Sequence, residues 1–65
     1  MMTEIEIWRT ASLMLWWYGT TAQTESARRA DESAADGDRA GEACWRRIIY
    51  VIAQLVNTTP HGMIH

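Results

Sequence analysis

The chain has 65 residues, a formal net charge of -2 and 48% apolar side chains; at that length it forms one domain at most and buries only about 60% of its unfolded surface. The balance of eight acids against six arginines, with no lysine, excludes the strongly basic field of a typical nucleic-acid binder. The lone cysteine, Cys44, excludes an intrachain disulfide framework and suits a reducing compartment.

Thr3-Glu4-Ile5-Glu6 fits a capping box, in which the threonine hydroxyl and the later glutamate satisfy orphan amides of a helix start. Ile5, Trp8, Ala11, Leu15 and Tyr18 then recur at three- and four-residue steps, with Ile7 and Met14 widening the stripe. That period predicts a first helix over about 4–18, closed by Gly19. Thr20-Thr21-Ala22-Gln23 reads as a second capping box, with Thr20 as the cap, opening a helix over about 21–36. One face of this second helix carries small side chains, among them Ala22, Ser26, Ala27, Ala30 and Ser33, so a neighbouring helix can approach closely. Its other face pairs Glu25 with Arg29 and Arg28 with Glu32 at four-residue spacing.

Gly37 ends that helix, and Asp38 is placed to cap a third over about 39–56. Gly41 falls inside its first turn, where glycine costs about 1 kcal/mol relative to alanine; close approach of another helix is the expected reason for it. Cys44, Trp45, Ile48, Ile49, Val51, Ile52, Leu55 and Val56 form a broad apolar stripe, the strongest amphipathic pattern in the chain. Asn57 and Pro60 stop the helix, and residues 57–65 are expected to form a short, irregular, flexible tail. The expected fold is therefore all-α: a small three-helix domain over residues 1–65, with Trp8 and Trp45 as indole anchors packed around the alanine face of the middle helix.

The order Trp8, Gly19, Arg29-Ala30-Asp31, Gly37-Asp38, Gly41, Trp45 and Leu55 resembles that of a family of very small uncharacterised proteins common in alphaproteobacteria. The resemblance runs from about residue 7 to residue 55 without gaps. It implies a helix bearing Trp8 closed by Gly19, a second helix bearing Arg29, and a third bearing Trp45 after Gly37-Asp38. Because the family is a domain of unknown function, it implies no activity. The chain departs from it at residues 13–17, which are more apolar than usual there, and beyond Val56, where no counterpart is found.

Leu13 and Trp17 lie one turn apart, on the same face as Glu6 and Thr10 and opposite the main stripe of the first helix, with Trp16 at the edge of that stripe. A stacked Leu–Trp pair on an outer face makes Leu13, Trp16 and Trp17 the candidate protein interface, most simply in a symmetric homodimer. Cover by the C-terminal tail is the other explanation. The third helix presents Arg39, Arg46, Arg47, Tyr50 and Gln54 on its polar arc, a candidate nucleic-acid face after a short helix–turn–helix connection. Against it, Arg46 and Arg47 point about 100° apart, and no basic arm supplies phosphate contacts.

His61 and His65 are two ligands at most and do not make a metal site, and Cys44 is expected to be a buried, inert thiol. No paired carboxylates, phosphate loop or Cys/His dyad is present, so neither an enzyme nor a cofactor is expected. The apolar runs 13–18 and 48–53 fall short of the roughly 20 residues of a membrane span, and a surface-lying first helix has only Arg9 as its basic residue. Glu4 and Glu6 stand where a secretory signal needs positive charge. A cytoplasmic, non-catalytic protein-interaction module, acting through the first helix or the arginine face of the third, is the expected function; a small DNA-associated accessory protein using the third helix is the alternative.

Overall fold

A computed structural model describes residues 2–57, and these are helical with no strand among them. Helix runs without a gap from Glu4 to Ala35, as α1 (Glu4–Tyr18), a 3-10 turn (Gly19–Thr21) and α2 (Ala22–Ala35); α3 (Arg39–Asn57) follows. The first two expected helices thus form one continuous helical stretch, with α3 as the second. The physical reason lies at the junction. Gly19 adopts φ 56°, which ends α1, yet the Ala22 amide donates back to the Gly19 carbonyl, so helical bonding carries directly into α2. The capping box expected at Thr20 does not form there. The cap position falls on Thr21, whose hydroxyl donates to the Tyr18 carbonyl at 2.8 Å and accepts nothing from α2. Asn57, expected in the tail, is the last residue of α3, and the remaining tail residues lie outside the described ones.

Three of the predicted helix ends are built as the residue types require. Thr3 and Glu6 form a reciprocal box: the Thr3 amide donates to Glu6 Oε1 at 2.8 Å and the Glu6 amide donates to Thr3 Oγ1 at 3.3 Å. At the end of α2, Gly37 takes φ 76° and donates to the Ala34 carbonyl while Asp38 donates to that of Ser33. That pair of bonds is a Schellman closure, which needs the left-handed residue glycine supplies. Asp38 then caps α3 by accepting from the Gly41 amide at 2.9 Å. Gly41 is small for a more local reason than helix approach. A Cβ there would fall 2.2 Å from Asp38 Oδ2 and 2.8 Å from its Cγ, with Ser33 Oγ of α2 at 3.1 Å, so glycine makes room chiefly for the capping carboxylate.

The core is aliphatic. Ile7, Ala11 and Met14 of α1 meet Ile48, Val51 and Ile52 of α3, and Ala22 of α2 joins them. Ala22, Ser26 and Ala30, spaced four apart, form the buried face of α2, so the expected close-packing small face is present. The expected pair of indole anchors is not. Trp45 is half-buried and packs against the core, whereas Trp8 is exposed, as are Ile5 and Tyr18. The buried line of α1 runs through Ile7, Ala11 and Met14 instead, because aliphatic chains there fit the Ile48–Val51–Ile52 ridge while the indole of Trp8 is turned outward.

Arg29 ties α1, α2 and α3 together. Its guanidinium lies 5.2 Å from the Trp45 ring centroid and 5.9 Å from that of Tyr18, donates to the Tyr18 hydroxyl at 3.1 Å, and pairs with Glu25 at 3.0 Å. Arg47 of α3 pairs with Glu4 at the start of α1.

Two stability outcomes follow from this packing. Trp45→Ala is expected to cost about 3 kcal/mol, a large-to-small change against the core, while Trp8→Ala costs about 1 kcal/mol or less; thermal or urea unfolding that ranks them the other way contradicts the packing. Ser26 is fully buried and its hydroxyl has no partner among the described residues. Ser26→Ala is therefore expected to stabilise the fold by about 1 kcal/mol, and a lowered melting temperature would show that the hydroxyl is satisfied after all.

Candidate interaction surface

α1 is apolar on two sides. At 100° per residue, Ile5, Arg9, Ser12 and Trp16 lie within about 60° of one another, on the side away from Ile7, Ala11 and Met14. Trp8 flanks this line on one side and Leu13 and Trp17 on the other. Exposure follows this geometry: Trp16 is 83% exposed, Ile5 70%, Trp17 63%, Leu13 41% and Trp8 40%. The three residues marked from sequence as an interface thus share one exposed face. Trp16, expected at the edge of the buried stripe, stands at the centre of the outer one. Ile5 and Trp8 extend the same face, and sequence reasoning missed them because it assigned them to the core. Together the five side chains present roughly 650 Å² of apolar surface, beyond the few hundred Å² common on monomeric proteins.

The polar part of this face is small and mostly satisfied. The Ser12 hydroxyl donates to the Trp8 carbonyl at 3.0 Å. Arg9 has neither an ion pair nor a hydrogen bond from its side chain among the described residues; Glu6, one turn before it and between Leu13 and Trp17 around the helix, is a carboxylate on the same face whose ionised form the Arg9 charge favours.

The arginine face of α3 has a different character. Arg46 is held by Glu42 at 2.8 Å, with Asp31 of α2 at 3.8 Å, and Arg47 pairs with Glu4 while lying 5.1 Å over the Tyr50 ring. Gln54 is half-buried and engaged, and Arg39 is exposed. Arg46 and Arg47 are thus already neutralised by carboxylates, which removes most of the positive potential a phosphate backbone would seek.

A groove of about 530 Å³ separates the first turns of α1 from those of α3, with Glu6, Thr10, Cys44 and Trp45 in its wall. Cys44, expected to be buried, is half-buried there. No group of three or more metal-ligating side chains occurs among the described residues; His61 and His65 lie outside them. No described helix is long and apolar enough to cross a membrane. No protein-family model, curated protein or solved structure matches the chain.

Two carboxylates bear on the conditions under which this surface is presented. Backbone and side-chain hydrogen bonds from Thr3 hold Glu6 below the usual glutamate range, and bonds from Arg28 and Arg29 do the same for Glu25. Both folded values lie below the unfolded value of about 4.3. The stability they contribute is therefore present above that value and lost as pH falls through the folded ones. Acid titration of the melting temperature should show a decline beginning below about pH 5 that is shallower in Glu25→Gln; an unchanged slope in that variant would contradict the Arg28–Glu25–Arg29 linkage.

Proposed function

We propose that this chain is a small, non-catalytic protein-interaction module, a three-helix unit whose α2 and α3 hold the outer face of α1 toward a protein partner. One observation carries the proposal: an indole at the centre of a helix face, 83% exposed, with a second at 63% beside it and three more large apolar side chains around them. Aromatic side chains on an exposed face are the residues that anchor protein interfaces, since each removes a large apolar area from water with few rotamers to freeze. The apolar inner face of α1 already accounts for its packing in the fold, so the outer face is surplus to folding.

The nucleic-acid alternative through Arg39, Arg46, Arg47, Tyr50 and Gln54 draws no comparable support, because two of its three cations are paired with carboxylates of the same chain.

The test is to replace Trp16 with a photo-crosslinking benzoylphenylalanine and irradiate living cells. A discrete protein adduct at any mass is expected, and Leu13→Glu with Trp17→Glu should abolish it. The absence of any adduct would contradict the proposal.

A further inference from the structure

Building on the proposed interaction role, we infer that the partner on this face is a second copy of the chain, with the two α1 helices antiparallel about a two-fold axis between Ser12 and Leu13. The face has the composition of one half of such a pair. Its one cation, Arg9, lies one heptad before Trp16 and has no ion pair of its own; the one carboxylate on the face, Glu6, is bonded to Thr3 at the start of α1 and feels the Arg9 charge only at longer range. When two copies run antiparallel about that axis, Arg9 meets the partner's Trp16, and the Ser12–Leu13 steps of the two helices meet at the axis. Each guanidinium thereby acquires an indole face, the best aromatic acceptor for a cation. Both symmetry-related contacts form at once.

Ser12 suits the centre of this pairing. It is small enough for two helix axes to approach, and its hydroxyl is already bonded to the Trp8 carbonyl, so burying it leaves no unsatisfied donor. The area also fits: roughly 650 Å² of exposed apolar side chain, supplemented by the polar rim, approaches the ~800 Å² per partner of a standard interface.

Other occupants match the face less well. The eight residues after Asn57 bring only Met63 and Ile64 as large aliphatic side chains, too little to cover three indoles and an isoleucine. A membrane surface would meet Glu4 and Glu6 at the same end of α1, with only Arg9 to attract anionic headgroups.

Sedimentation equilibrium of the full chain, across a concentration series, tests the inference together with cysteine crosslinking in a Cys44→Ser background. A monomer–dimer equilibrium is expected. Trp16→Glu, at a solvent-exposed site that leaves folding intact, should abolish it, and Arg9→Gln should weaken it about tenfold. Removing residues 58–65 should leave it unchanged. Ser12→Cys should form a disulfide-linked dimer on oxidation and Ile5→Cys should not, since the two Ile5 positions lie about 20 Å apart along an antiparallel pair. A strict monomer at millimolar concentration would overturn the second-copy assignment. So would a dimer indifferent to Trp16→Glu, or a monomer whose tryptophan emission shifts only on phosphatidylglycerol vesicles. If the in-cell adduct at position 16 has a mass other than that of two chains while the purified protein stays monomeric, the interaction role stands and the second copy falls. If no adduct forms at all, both fall.

Discussion

The structure depends on one seam: Ile7, Ala11 and Met14 of α1 pressed against Ile48, Val51 and Ile52 of α3, closed from the third side by Ala22, Ser26 and Ala30 of α2. A 65-residue chain has little apolar surface to spend on a core, and here the buried side chains are aliphatic and small. The small residues of α2 contribute less area than they save in distance, because they let α3 lie close enough for its β-branched ridge to fill the space. Around this seam the polar groups act as struts between helices. Arg29 reaches Tyr18 and Trp45, and Arg47 reaches Glu4.

The consequence for function is directional. Once Ile7, Ala11 and Met14 face inward, helical geometry turns Ile5, Trp8, Leu13, Trp16 and Trp17 to the outside, whatever their hydrophobicity. A helix that is apolar all round finds its lowest free energy with both sides covered. The fold covers one side of α1 and leaves the other available. The arginines of α3, by contrast, serve mostly as ion-pair partners within the chain, so the face that looks basic in sequence is largely neutral in the fold.

Much of this architecture was legible in the sequence where local chemistry decides. The Thr3–Glu6 box, the Gly37 closure and the Asp38 cap are each read from two or three residues, and each forms through backbone bonds that depend on little else. The amphipathic stripe of α3 pointed to Ile48, Val51 and Ile52 because its polar arc is well marked. In α1 the pattern is ambiguous in principle. With apolar residues at nearly every angle, periodicity establishes that a helix forms but not which side is buried, and the choice is made by the shape of α3. For that reason periodicity places Trp8 and Ile5 inward, where the fold turns them out, while it places Leu13 and Trp17 outward, where the fold has them. The Thr20 cap failed because a glycine-initiated 3-10 turn supplies the bonding a capping side chain would otherwise provide. Arg29 pairs with Glu25 as the four-residue spacing requires, but its stacking on Tyr18 and Trp45 depends on tertiary proximity that no local spacing encodes.

The orientation of α1 is the point on which both the core and the outer face depend, and tryptophan accessibility measures it directly. Acrylamide quenching of single-tryptophan variants, recorded in dilute solution, should find Trp16 quenched nearly as readily as free indole and Trp45 several-fold more slowly. Equal quenching of the two, or a shielded Trp16 beside an accessible Trp45, would mean that α1 is turned the other way and that the seam described here is not the core.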